Sequence, residues 1–424
     1  MKRFLSFLLV AVMICMAIPA LGAAEEPVTL RVAWWGSQTR HDKTMKAIAK
    51  FEEKNPGIKV EAEFTDWGGY WSKLATQVAG DLTPDVIQMD YSYLAQYGEN
   101  GVLADLTPYI ESGAINTENV AKDVVSSGKV GDKVYALSTG ANAYGYAYRK
   151  DIADEAGVEI PMEFTLEEYY ELCATVYEKT GRTNAVPTGY ESLRMVLRAY
   201  GLALYNEAGD GLGFDDPKYI VQQWEDYQNA EKAGWSLPVG ENTNTNDFDT
   251  VVNDNWMVGI WAYQLATLEE NNNCELELVC NPDPADRTMP STYLKPTMFW
   301  CVAEASEVKD AAVKFIDFYT NDTDCADIMG TDRSMPISSA IREHIAPNLD
   351  SASQKVAAFM DYLAQDGKTS PVMKADPSVA SEVRSLLDTY FESVQYHQVE
   401  DLTAWAQQFM DEANAILAKG AQAE

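Results

Sequence analysis

Three short β-rich runs near the start of the chain end in aromatic and polar residues. These ends are Trp34-Trp35, then Asp66-Trp67 with Tyr70-Trp71, then Asp90-Tyr91 with Tyr93. A later strand-like run ends in Trp261-Ala262-Tyr263-Gln264. These residue types together suit one chemistry. A flat aromatic face covers the C–H face of a sugar ring, while carboxylates and amides take its hydroxyls. Among the 10 tryptophans, Trp34, Trp35, Trp67, Trp71 and Trp261 sit at or just past strand ends. Alternate side chains point to opposite faces, so about half of them should face a crevice, Trp67 and Trp261 foremost. Trp224, Trp235 and Trp405 fall at helical spacing and are expected in cores. Arg40 and Arg333 lie in loops at the same edge. They either bridge surface carboxylates or line the crevice, where they would clamp the carboxylate of an acidic sugar.

Bond-breaking chemistry has no comparable signal. The 3 histidines, His41, His344 and His397, are scattered, and neither H-E-x-x-H nor H-x-H occurs, so no zinc site is expected. There is no G-x-S-x-G and no P-loop. Gly209–Gly213 is glycine-rich but lacks the strand–turn–helix setting of a nucleotide site. Asp210, Asp215 and Asp216 match no EF-hand spacing and suit turns and caps equally well. Carboxylates are too numerous for composition to single out a glycosidase pair. No metal and no cofactor is expected.

The elements that must position these residues read as alternating strands and helices. Thr29–Trp34 alternates as a buried strand. Thr39 with Asp42 resembles a capping pair, and the following helix shows Met45, Ile48, Ala49 and Glu52 on one face with Phe51 beside it. Asn55-Pro56-Gly57 stops that helix. Ile58–Phe64 is a second strand and Trp67-Gly68-Gly69 a loop. Tyr70, Leu74 and Val78 mark a second helix, and Asp85–Met89 a third strand. Such units wind right-handed and predict a parallel sheet, whose ligands sit beyond the strands' carboxyl ends. Further on, Lys133–Leu137 and Tyr144–Arg149 read as strands. The small hexapeptide between them, Ser138–Ala143, is either a crossing between lobes or a hairpin turn. Leu166–Lys179, Leu193–Leu204, Tyr219–Ala233, Asp247–Trp256 and Asp310–Tyr319 read as helices, and Met257–Trp261, Leu276–Val279 and Met298–Ala303 as strands. Leu294–Thr297 and Arg333–Pro336 are candidate second and third crossings. From Ser338 the chain is helical.

The 424 residues suffice for two lobes, and a net charge of −33 disfavours nucleic acid and anionic lipid as partners. Met1-Lys2-Arg3, the apolar run Phe4–Ile18 and the small residues to Ala24 read as an export signal over residues 1–24. An uncleaved anchor is the alternative, but the run is short for one. Lipidation at Cys15 is a second alternative, with Ile14 where a small residue is expected. Five cysteines remain after cleavage. Cys274 and Cys280 flank an extended run that separates their Cα atoms by about 20 Å, too far for a bridge. Free buried thiols are therefore expected.

The run TLRVAWWGSQTRHDKTMKAIAKFEEKNPGIKVEAEFTDWGGYWSKLATQVAGDLTPDVIQMDYSYLAQYG, with LSTGANAYGYAYRKD, VGIWAYQ, LKPTMFWCVAE, KFIDFYTND and MGTDRSMPIS in order, resembles the extracellular solute-binding proteins of carbohydrate ABC transporters. The WWG-x-x-x-RHD, YLAQYG and LKP segments are similar to binders of rhamnogalacturonan and related pectic oligosaccharides. The resemblance implies an α/β, two-lobed periplasmic-binding-protein fold with three interlobe crossings. Residues 25–140 plus 291–332 would form the N-terminal lobe, and 141–290 plus 333–424 the C-terminal lobe. It places Trp35, Arg40, Trp67, Asp90 and Tyr93 on the first rim, Asn142 at a hinge, and Trp261, Tyr263 and Arg333 opposite. Trp67 and Trp261 would stack on rings, Asp90 and Asn142 would bind hydroxyls, and Arg40 and Arg333 a carboxylate. The expected partners are an extracellular oligosaccharide and ABC-transporter permease subunits, and the protein is expected to be an exported monomer, periplasmic or at the cell surface. A binder of a non-sugar solute and a secreted glycan-active enzyme are the alternatives.

Overall fold

The computed structural model describes residues 27–238, 255–373 and 376–422. The expected leader, with Cys15, and most of the helix expected over Asp247–Trp256 lie outside the described residues.

The first strand, Val28–Trp35, reads VTLRVAWW. Its alternation is real: Leu30, Val32 and Trp34 enter one apolar cluster, Ala33 and Trp35 another. Both faces are thus buried, as in a sheet covered on each side. Ile58–Thr65 and Val86–Met89 flank this strand in parallel, and the helices Gln38–Lys54 and Trp67–Ala79 are the crossovers. Phe299–Val302 and Ala136–Ser138 complete a five-stranded sheet. The expected parallel sheet is therefore mixed, because Phe299–Val302 runs antiparallel to both its neighbours. That strand re-enters the sheet from the opposite direction after a crossing. A second, antiparallel sheet holds Leu276–Val279, Tyr144–Arg149 and Met257–Trp261. Trp224 and Trp235 are core residues of the helical layers, and Trp405 is half-buried with its indole N–H donating to Tyr390 O at 3.0 Å.

Two local readings are corrected. Ser37, not Thr39, caps the first helix, accepting from Arg40 N at 3.4 Å. The buried face of that helix is His41, Thr44, Ala47, Ile48 and Phe51, whereas Met45 is 42% exposed. A count of apolar residues misses this face because His41 is polar but satisfied, accepting from the Trp34 indole N–H at 3.1 Å. Trp67-Gly68-Gly69 is the first turn of a helix rather than a loop. The Asp66 side chain accepts from Gly69 N at 2.9 Å, and the cap outweighs the poor helix propensity of the glycines.

Three crossings pass side by side between the sheets. Ala141–Asn142 pairs antiparallel with Lys295–Pro296, and Ala141 bridges to Met335. Gly140 O accepts from Thr297 N and from Thr297 Oγ1, each at 3.1 Å, and Thr297 Oγ1 also reaches Arg333 O at 3.0 Å. Only glycine fits at 140, since a Cβ there would lie 2.0 Å from Arg333 O. The hexapeptide is thus a crossing, not a hairpin turn. Cys173, Cys274, Cys280, Cys301 and Cys325 are free, and all but Cys274 are buried.

Candidate functional site

The crossings floor an open cavity of about 900 Å3. Asp90, Tyr91 and Ser92 reach it from the end of the strand Val86–Met89. Asn142, Lys295 to Thr297, and Ser334 reach it from the crossings, Trp261 and Tyr263 from the end of the strand Met257–Trp261 and the turn after it, Arg194 from the helix Gly189–Ala199, and Tyr293 and Asp376 from irregular segments.

Trp261 forms the firmest wall. It ends the strand Met257–Trp261, with Tyr144 edge-on at 5.6 Å and Tyr293 edge-on at 6.2 Å. Gln264 fixes the following turn by accepting from Trp261 N at 2.9 Å. The exposed Lys295 ammonium stands 4.7 Å from the Trp261 ring centroid, a cation–π contact on the cavity side. Among the described residues Lys295 forms no ion pair. Asn142 is 7% exposed, and its Oδ1 accepts from Ala143 N at 2.9 Å and Tyr263 N at 3.4 Å. That pairing turns its amide nitrogen toward other acceptors. Asp90 caps the helix Tyr91–Glu99 through one oxygen, accepting from Ser92 N at 2.9 Å. Tyr263 is 64% exposed at the rim.

So Asp90, Asn142, Trp261 and Tyr263 are brought together, and five expected residues are not. Trp35 is buried among Trp67, Tyr70 and Trp71, with centroids 5.1, 5.1 and 5.4 Å away. Tyr93 stacks on Trp71 at 4.0 Å. Trp67, 47% exposed, caps this aromatic stack on the first lobe, outside the cavity lining. Arg40 is spent on the third crossing, with Nε donating to Asp332 Oδ2 and Nη2 to Asp332 O, both at 2.9 Å. Arg333 is 2% exposed, donating to Gln88 Oε1 at 3.1 Å, Tyr319 Oη at 3.0 Å and Thr44 Oγ1 at 3.1 Å. Neither arginine presents a free fork to a ligand. Both are held where crossings and sheet meet.

Residues 46–360 match the family of bacterial extracellular solute-binding proteins. The chain belongs to that family. Among curated relatives, the diacetylchitobiose-binding protein of Streptomyces coelicolor is 29% identical over 47% of this chain and 44% of its own length. The match thus spans under half of that relative. A family 1 extracellular solute-binding protein of Alicyclobacillus acidocaldarius superposes with a TM-score of 0.85 at 24% identity, covering 93% of this chain and all of the other. A periplasmic oligogalacturonide-binding protein of Yersinia enterocolitica superposes with a TM-score of 0.74 at 19% identity, over 93% and 100% of the two chains. At these identities the two structures share the fold, which is the two-lobed α/β architecture with three crossings.

Within this solute-binding protein, several cavity residues escaped the sequence reading, Arg194, Tyr293, Lys295 and Asp376 among them. Arg194 Nη2 and Asp376 Oδ1 pair at 3.3 Å, and the Tyr190 hydroxyl donates to Asp376 Oδ2 at 3.1 Å. Lys295 had a usable signal, since it stands in the LKP segment of a predicted crossing. Arg194 and Asp376 had none, because the chain between them spans most of the second lobe. Among the described residues, no helix is long and apolar enough to cross a membrane.

Proposed function

We propose that this protein binds an extracellular oligosaccharide between its lobes and delivers it to the permease of an ABC transporter. The observation that carries the reading is the cavity at the crossings, lined by Trp261, Asp90, Asn142 and Lys295. An indole supplies apolar area for the ring, and the polar groups of both lobes supply hydroxyl contacts. The family membership and the sugar-binding relatives support the same conclusion. The lobes divide near residues 140, 290 and 333, the leader over residues 1–24 is removed, and the exported chain works as a monomer in the periplasm or at the cell surface. Trp67 and Tyr93 extend an aromatic platform outward along the first lobe for longer glycans.

Capture rather than bond cleavage fits the carboxylates. Asp90 is engaged as a helix cap and Asp376 by a guanidinium, so both carboxylates already serve as hydrogen-bond and ion-pair partners within the protein. The testing experiment is a thermal-shift panel of acidic and neutral oligosaccharides with amino acids and peptides as controls. A ligand at about 100 times its Kd adds about 2.7 kcal/mol to native stability. A raised midpoint with a saccharide and a smaller radius of gyration in solution scattering are expected. A shift produced only by a non-sugar solute would overturn the reading.

A further inference from the structure

A second cavity, of about 560 Å3, opens from the same cleft and shares Arg194, Val372, Met373, Asp376 and Ser378 with the first. Arg198 lines it, one helical turn beyond Arg194 on the helix Gly189–Ala199. This side chain is 8% exposed and its guanidinium lies 4.4 Å from the Tyr293 ring centroid. Two of its three nitrogens are satisfied: Nε donates to Ser291 O at 2.9 Å, and Nη2 donates to Ser370 Oγ and Pro371 O. Among the described residues Nη1 has no acceptor, and Arg198 forms no ion pair. Its charge is therefore buried against neutral oxygens and an aromatic face. The other deeply buried arginines have a carboxylate at hand: Arg333 has Asp332 at 3.9 Å and Arg342 has Asp361 at 2.6 Å. The cavity's own carboxylates do not fill the role, since Asp376 is held by Arg194 and Tyr190 and Glu207 is exposed at the rim. Burial holds the Arg198 pKa down at about 10, and the neighbouring Arg194 acts in the same direction. A buried cation without a counter-ion is costly unless an anion arrives to pair with it.

We propose that the second cavity is an acidic-sugar subsite, in which Arg198 Nη1 donates to the carboxylate of a uronic-acid unit while the adjoining unit lies against Trp261 beside Lys295. The proposal rests on the oligosaccharide reading and adds the charge of the ligand and the place where it is read. It also moves the carboxylate clamp from Arg40 and Arg333, both of which are spent elsewhere, to a different wall of the cleft.

The test is titration calorimetry with trigalacturonic acid and with the same trimer reduced to its neutral galactose form. A charge-assisted hydrogen bond in a sheltered site should favour the acid at least tenfold. Arg198→Gln should bring the two trimers to within about threefold of each other. Arg198 also ties Ser291, Ser370 and Pro371, so a second variant, Ala203→Glu, guards against misfolding. Ala203 is an exposed residue of the same cavity wall, and the new carboxylate should erode the preference while leaving those ties in place. Equal wild-type binding of the two trimers would overturn the subsite, as would a tenfold preference surviving in both variants. Binding of neutral xylo- or malto-oligomers alone would sink the acidic subsite and leave the oligosaccharide reading standing. Failure of every saccharide would sink both.

Discussion

Trp261→Ala separates the two indoles that the sequence ranks together. Trp261 lines the cavity at the crossings, whereas Trp67 caps a stack outside it. A sugar ring laid on one face of an indole covers about 80–100 Å2 of apolar surface, roughly half of what a buried aromatic contributes. At about 25 cal/mol/Å2 that amounts to about 2 kcal/mol, or a thirtyfold loss of affinity. The substitution also removes the edge contacts to Tyr144 and Tyr293 and the seat of Lys295. Full burial would put the folding cost of Trp→Ala at about 3–5 kcal/mol, and the half-buried Trp261 should lose about half of that. The assay is calorimetric titration of Trp261→Ala, Trp261→Phe and Trp67→Ala with one oligosaccharide that raises the wild-type melting midpoint. Melting curves of the free proteins report the folding cost separately. The phenyl ring should recover most of the lost affinity, and Trp67→Ala should stay within about threefold of wild type for a short oligomer, since its ring stands outside the cavity lining. The reasoning is refuted if Trp67→Ala loses tenfold or more while Trp261→Ala stays within threefold.

Three further outcomes are expected. Arg333→Met should lower stability by about 3 kcal/mol, because Gln88, Tyr319 and Thr44 each lose a buried partner. Urea unfolding measures this, and an unchanged midpoint would contradict the structural role. Burial and the nearby Arg333 and Arg40 cations push the His41 pKa below its ordinary value. The unfolded chain then binds a proton that the native state resists, so stability should fall as pH drops below about 6.5, by at most about 1.4 kcal/mol per unit of separation. Urea midpoints at pH 7.5, 6 and 5 should decline less steeply in His41→Gln, and identical slopes would dismiss His41 as the cause. Burial pushes the Cys280 and Cys325 thiols up to about 12 and those of Cys173 and Cys301 higher still. Iodoacetamide at neutral pH should therefore modify the half-buried Cys274 first, as mass spectrometry can check. Equal labelling of Cys173 would show that this core opens readily.

What could be read from sequence is local in origin. The period of two in VTLRVAWW and the stop at Asn55-Pro56-Gly57 act within a few residues, so the first strands and helices of the chain were legible, whereas Ser138–Ala143 stayed open between a crossing and a turn. The fate of a long charged side chain is not local. Arg40 finds Asp332, 292 positions away, and Arg333 finds Gln88, 245 positions away. No periodicity encodes such partners, and an arginine in the first turn of a helix, like Arg40, or in a loop, like Arg333, looks the same whether it faces a ligand or the underside of a sheet. The two kinds of tryptophan show a similar limit. Trp35 and Trp261 both end strands, yet the first strand is central in a sheet covered on both faces, while Met257–Trp261 is an edge strand of the three-stranded sheet. A central strand buries its last indole under the next helix, and an edge strand leaves one flank open.

The crossings would tie the cavity to any rotation of one lobe against the other. Asn142, Lys295 and Ser334 lie on three different crossings and all touch the cavity floor. Ser334 holds a φ of +76°, in the left-handed region that costs a non-glycine residue about 1–3 kcal/mol, so the third crossing is locally strained. A ligand can shift the open and closed populations only through contacts that differ between them. Contacts to the floor change little when lobes rotate about it, so they fix position and register. Contacts that span the cleft change most. Those spanning groups are Asp90 and Ser92 on the first lobe, and Trp261, Tyr263 and the Arg194–Arg198 wall on the second. A glycan resting only on Asn142 and Lys295 would bind without closing the lobes. One that reaches from Asp90 to Trp261 would be bound more tightly in a closed form, and that surplus would drive closure.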